Sequence, residues 1–224
     1  GNLTQLLTGT DDIFEFDGMT ICDVMLEEDA APYITKITEN LDIICGDENV
    51  NTLAPYFYNK TDGLGGNFHF VLKNALEKVS HNYDYIVIDN PPALGELSII
   101  SLCASDHVLI MFETSKFCYN SLKSYLRTID AVKERINPDL NKLGILRSMT
   151  DKRRTDNKYF SNVVKNEFPK SCFDTIIHRA AVIGRISSFG LIDNPEIKQV
   201  MKEYKGFLKE IKGRLLECQT LKSN

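Results

Sequence analysis

Asp89 is the residue whose surroundings most suggest chemistry. It closes the apolar, β-branched run Ile86, Val87, Ile88 and stands just before Pro91 and Pro92. Such a run predicts a buried parallel strand, apolar on both faces because helices cover both. A carboxylate at the carboxyl end of that strand lies where open α/β sheets bind their ligands. The two prolines cannot continue a ladder, so the chain must turn away after them. An acidic strand end that simply meets water is the competing reading for Asp89 taken alone.

The other reactive side chains form no recognisable set. His69, His81, His107 and His178 lack the spacing of metal ligands, and no Ser/His/Asp or Cys/His pairing stands out. Protein-nucleophile hydrolysis therefore has no support. The run Gly63-Leu64-Gly65-Gly66 is read as a turn rather than a phosphate loop. It follows Asn59 to Asp62 instead of a buried strand, and no Lys-Ser/Thr opens a helix after it. No G-x-x-x-x-G-K-[ST] occurs among the 224 residues.

Charge is strongly segregated. Residues 1–100 hold 4 Lys or Arg against 17 Asp or Glu, a balance of −13, whereas residues 142–185 hold 10 against 4, a balance of +6. The second block contains Arg147, Lys152, Arg153, Arg154, Lys158, Arg179 and Arg185. A basic surface on an acidic chain suits a polyanion; a solvated loop and helix face would look the same.

These groups need a scaffold, and the hydrophobic pattern supplies one. Leu41–Cys45, His107–Phe112, Leu143–Leu146 and Asp174–Ile177 read as further strands. Thr20–Leu26, Phe68–Val79, Ser121–Ile136 and Ile197–Leu216 read as helices, with Asn137-Pro138 stopping the third. Strands alternating with helices of this length predict a doubly wound, mostly parallel α/β sheet with helices on both faces, and a single domain over residues 1–224. The last helix presents Ile197, Val200, Met201, Tyr204, Leu208, Ile211 and Leu215 as one stripe, with Lys198, Lys202, Lys205, Lys209 and Lys212 mainly elsewhere. So wide a stripe predicts packing on the sheet rather than a membrane surface. The apolar content of 43% suffices for a sizeable core, and no apolar run reaches membrane-spanning length. Six scattered cysteines without a C-x-x-C pair predict a reducing cytosol, no disulfide framework and no zinc site.

Taken in order, the segments resemble the ParA family of P-loop partition ATPases, related to Soj and MinD, nearly end to end. Asn2-Leu3-Thr4-Gln5 is similar to the N-L-T-x after the family's second acidic motif. YDYIVIDNPPALGELS resembles its switch II segment, YDYIIIDTPPSLG-x-LT, and Ala104–Ile110 resembles A-A-D-x-V-L-I. Gly144–Arg153 resembles G-I-L-x-T-M-x-D-x-R, Phe173–Arg179 resembles F-x-T-x-I-P-R, and Ser188-Phe189-Gly190 resembles the S-F-G that follows.

The resemblance implies a cytoplasmic, nucleoid-associated ATPase that dimerises around ATP, binds double-stranded DNA without sequence preference and segregates plasmids or chromosomes. A ParB-like centromere-binding partner would stimulate it, and no stable membrane association is expected. Asp89 would act at the catalytic centre and hold Mg2+, through water. Ser148, His178 and Arg179 would lie along the nucleotide base. Arg153, Arg154, Arg179, Arg185, Lys202 and Lys205 would form the DNA face. The departures are His178 for the family's Pro, Arg185-Ile186 for Glu-Ala, Asn90 for Thr and Met111 for Pro.

The family's first strand, its K-G-G-x-G-K-T loop and its D-x-D-x-Q strand end have no counterpart in these residues. The expectation is a native chain longer upstream, since ATP and Mg2+ both need that segment and residues 1–224 alone should not hydrolyse ATP. Two alternatives stand beside the partition ATPase: a non-hydrolysing regulatory or structural paralogue, and a MinD-like membrane-cycling ATPase.

Overall fold

The computed structural model describes residues 2–10, 12, 14–60, 67–90, 94–189 and 195–222. The chain divides into two compact units, Gly1–Ser105 and Asp106–Asn224.

In the first unit, short helices surround a small hairpin. Helices α1 (Asn2–Thr8), α2 (Ile21–Glu27), α3 (Leu53–Lys60), α4 (Val71–Glu77) and α5 (Glu96–Cys103) accompany strands β1 (Thr35–Thr38) and β2 (Leu41–Ile43). Thr20 caps α2: its hydroxyl accepts from Cys22 N–H at 3.2 Å, and Asp23 accepts from Thr20 N–H at 2.9 Å. This reciprocal box satisfies two donors that the helix leaves open. The core gathers Val24, Met25, Leu72, Ala75 and Ile100.

Two expected strands differ here. Leu41–Ile43 does form a strand, but it pairs antiparallel with β1 across a tight turn rather than joining a parallel sheet. Residues 85–90 belong to no strand or helix. Ile88 packs against the core, while Tyr85, Ile86 and Val87 are exposed, Val87 to 88%. A strand exists only where a neighbour takes its backbone groups, and none of the described residues does so here.

The second unit is a parallel three-stranded sheet in the order β3-β4-β5, with β3 at His107–Glu113, β4 at Asn141–Thr150 and β5 at Cys172–His178. The connections run through α6 (Lys116–Arg135) and α7 (Thr155–Glu167); α8 (Ala181–Phe189) and α9 (Pro195–Lys222) follow. Helix α6 begins earlier than Ser121, because Ser115 caps it by accepting from Cys118 N–H at 3.3 Å. Helix α7 has no apolar period to announce it: its buried residues are Asn157, Ser161 and Val164, two of them polar.

Helix α9 covers one face of the sheet. Tyr204, Phe207, Ile211 and Leu215 pack on Leu143, Leu146, Phe173 and Ile177. Phe207 thus replaces Leu208 on the packed stripe, and Leu208 is half exposed. Side chains alternate along a strand, so Arg147 faces the other side and reaches Ser161 of α7 at 3.4 Å. Gly144 permits close packing beneath α9. Its φ is +152°, and a Cβ would lie 2.6 Å from Ser171 O, 2.7 Å from Phe173 Cε2 and against the Arg214 guanidinium.

Candidate functional site

The parallel register brings the carboxyl ends of three strands to one end of the sheet, with Glu113 opposite Ser148 and Thr150 opposite His178. Ligands of open α/β sheets bind at such ends. Beneath the surface lies a polar layer of Thr114, Ser148, Thr150 and Asn157, all buried. Asn157 ties two strand ends together: its amide donates to Thr114 O at 2.6 Å, and its carbonyl accepts from Asp151 N–H at 2.9 Å. The Thr114 hydroxyl meets that of Thr150 at 3.2 Å. Arg179 N–H donates to Thr150 O at 3.0 Å and holds the turn after β5 against β4.

Ser148, His178 and Arg179, singled out in the sequence, all belong to this end. Ser148 is 7% exposed, so its hydroxyl lies below the surface. Its neighbour Met149 is 45% exposed and has φ +53°, a backbone state uncommon outside glycine. His178 is held by Glu203 of α9, which accepts from its N–H at 2.8 Å and lies 2.8 Å from its Nδ1. The Arg179 guanidinium is exposed and sits 3.7 Å from Glu113. Thr114, Asn157 and Glu203 escaped the sequence reading. Nothing in their local pattern marks them, because each matters through a partner distant in the chain.

The basic residues divide into three groups. Arg147, counted in the sequence with the basic surface, is 5% exposed and faces the interior. It donates to Phe173 O at 2.8 Å and Asp174 O at 3.4 Å, beside irregularities in the β4–β5 ladder, while its buried Nε has no hydrogen-bond partner among the described residues. Arg153 and Arg154 are exposed but each is matched by an acid. Arg153 reaches Asp151 at 3.0 Å and Arg154 reaches Asp156 at 2.6 Å. The Arg153 pairing holds the Asp151 carboxyl down at about 2. Lys202 and Lys205 are exposed on α9, and the side chain of Arg185 lies outside the described residues.

Asp89 belongs to the first unit and is exposed. Pro91 and Pro92 after it, the run Gly63–Gly66 and the motif position Gly190 lie outside the described residues, as do the side chains of Ser188 and Phe189. Among the described residues no three His, Cys, Asp or Glu side chains gather as a metal cage. A Mg2+ ion on a nucleotide takes only one or two protein carboxylates beside phosphate oxygens, so Asp89 suits such a role chemically. No helix among the described residues is long and apolar enough to cross a membrane.

Comparison with known proteins gives the chain its relatives. A family described as AAA domain (AAA_31) matches residues 1–142. The chain is 38% identical over 124 residues to the chromosome partitioning protein ParA of Myxococcus xanthus, covering 55% of this chain and 44% of that protein. It is 38% identical over 119 residues to the sporulation initiation inhibitor protein Soj of Bacillus subtilis, covering 53% and 47%. The chain thus spans about half the length of the curated relatives it matches. Among solved structures, apo McdA of Cyanothece superposes with a TM-score of 0.78 at 22% identity, covering 96% of this chain and 83% of that one. A plasmid partition protein of Borrelia burgdorferi bound to AMPPNP gives 0.66 at 22% identity, covering 93% and 82%. At such identities the structures speak for the fold alone, an α/β fold with a parallel sheet flanked by helices. With its family match over residues 1–142, the chain belongs to the AAA domain family AAA_31, and its relatives include ParA and Soj.

Proposed function

We propose that this chain belongs to a partition ATPase that binds ATP and Mg2+, dimerises and then holds duplex DNA without sequence preference. A ParB-like protein would stimulate hydrolysis, in a cytoplasmic, nucleoid-associated cycle that moves a plasmid or chromosome. The observation that carries this reading is the polar end of the β3-β4-β5 sheet. Ser148, Met149, His178 and Arg179 meet there over the Thr114–Thr150–Asn157 layer. That is where a base and ribose would rest, with the Lys152–Arg154 loop opening from the same strand end.

The residues fit one part of the nucleotide. A base needs a flat, partly apolar contact and a few polar groups, which Met149 and the His178–Arg179 turn offer. The phosphates need a cradle of N–H groups and a lysine, which residues 1–224 do not contain in motif form. ATP with Mg2+ would supply the phosphoryl group whose transfer is catalysed by positioning and charge neutralisation. Asp89 would contribute to holding the metal's water shell.

For DNA, Lys202 and Lys205 carry positive charge and are exposed on α9. Arg153 and Arg154 must first share or leave Asp151 and Asp156. The test is duplex binding by the full-length gene product, with and without ATP, across a salt series. Each phosphate contact releases counterions, so affinity should fall steeply with salt, and removing one contacting lysine should lower the log–log slope by about 1. Binding indifferent to ATP, or indifferent to salt, sinks the proposal. ATP-dependent binding without turnover would indicate the non-hydrolysing paralogue instead.

A further inference from the structure

We propose that Glu203 is a positioning residue that couples the nucleotide end of the sheet to the basic face of α9; this rests on the function proposed above. Both oxygens of Glu203 engage one residue of β5. Oε2 accepts the His178 N–H and Oε1 lies against His178 Nδ1, each at 2.8 Å. Both side chains are mostly buried, at 29% and 25% exposure. The contact needs a residue other than Pro at position 178, since Pro has neither an N–H nor a ring nitrogen to offer.

The location gives the contact its consequence. His178 directly precedes Arg179, whose N–H closes the strand-end turn onto Thr150 O and whose guanidinium faces Glu113. On the other side, Glu203 lies in the same helical turn as the exposed Lys202 and Lys205, and Lys152 of the loop after β4 approaches it to 3.9 Å. Further along α9 the docking is independent of this contact. Glu210 accepts from the N–H groups of Asp174 and Thr175, Arg214 donates to Leu143, Ser171 and Cys172 carbonyls, and Phe207, Ile211 and Leu215 are packed. Tyr204, next to Glu203, is packed on the sheet as well, so opening the contact releases the Glu203 carboxylate while the helix stays docked. A ligand that shifts the His178–Arg179 turn changes the balance of that contact, and with it how far the Glu203 carboxylate offsets the charge of Lys202 and Lys205 in its own turn. Coupling of this kind is a differential affinity and must act in both directions.

The experiment uses the full-length gene product and four forms: wild type, Glu203→Ala, His178→Pro and the double variant. Affinity for a non-hydrolysable ATP analogue and for a short duplex of arbitrary sequence is measured singly and together. The wild type should show a coupling factor in the range of about 5 to 150. Each single variant should reduce that factor to about 2 or less, with duplex affinity without nucleotide little changed in Glu203→Ala, and the double variant should do no more than either single one, as expected for two halves of one contact. A merely structural role would lower both affinities and leave their ratio intact. Variants that keep the wild-type factor overturn the inference alone. A wild-type factor of one overturns the proposed function together with it, so the two failures are told apart by the wild type. Amide exchange at His178 gives a separate readout: it should accelerate in Glu203→Ala, and unchanged exchange would overturn the two-point hold itself.

Discussion

Replacing Arg147 tests whether a buried charge here serves packing or hydrogen bonding. Its guanidinium is buried, donates to the Phe173 and Asp174 carbonyls and reaches the Ser161 hydroxyl, while Nε has no partner among the described residues. Truncation to Ala removes about two methylenes of buried stem beyond Cβ, worth about 0.8 kcal/mol each. It also strips the donor from the buried Phe173 carbonyl, at about 1 to 3 kcal/mol for a buried acceptor left open, while the Asp174 carbonyl can turn to water. Arg147→Ala should therefore cost about 4 kcal/mol. Arg147→Met removes the same charge and the same donors but keeps the buried stem, so it should cost about 1.6 kcal/mol less than Ala. Urea midpoints followed by circular dichroism, with slopes compared to confirm the same transition, decide between them. If Met proves as damaging as Ala, the guanidinium bonds dominate and the packing argument is wrong.

Acid should loosen α9 from β5. Burial pushes the Glu210 carboxyl up, but hydrogen bonds from the Thr175 hydroxyl and from the N–H groups of Asp174 and Thr175 outweigh it and hold it below its ordinary value. A depressed carboxyl stabilises fully above its unfolded pKa of about 4.3 and loses that contribution as pH falls through the folded value. Amide exchange at Asp174 and Thr175, corrected for intrinsic rates, should rise in acid, and Glu210→Gln should flatten that rise; a pH-independent wild type would refute the reading. Gly144→Ala should be strongly destabilising, since its φ and the Ser171 and Phe173 contacts leave no room; a thermal midpoint within about 2 °C of wild type would disprove the close approach. Thiol labelling should reach the half-buried Cys118 and Cys218 first. Burial raises the Cys22 thiol to about 12 and the Cys103 thiol to about 11, so these should label only on unfolding. Early labelling of Cys103 would show that unit to open locally.

Much of the second unit was legible from hydrophobic order alone. The apolar runs His107–Phe112, Leu143–Leu146 and Asp174–Ile177 became neighbouring parallel strands, because continuous apolar strands can be buried only between covered faces. Ser148, His178 and Arg179 fell at one end because a parallel register places strand carboxyl ends together. The first unit was harder to read. Val87 sits in as apolar a setting as Ile110, yet Val87 is exposed and Ile110 is buried, since only the latter has a ladder partner.

By itself, then, the sequence determined the family, the order of the strands in the second unit with two of its helices, and which residue types meet at its strand ends. Those properties follow from local periodicity and from motifs read in order. The tertiary structure alone decided which charges are usable. Arg147 is interior, Arg153 and Arg154 are matched by acids two residues away, and Glu203 is spent on His178. Charge in a sequence is a count. Its effect depends on burial and on the nearest opposite charge, and both are set by chain segments that no local pattern connects.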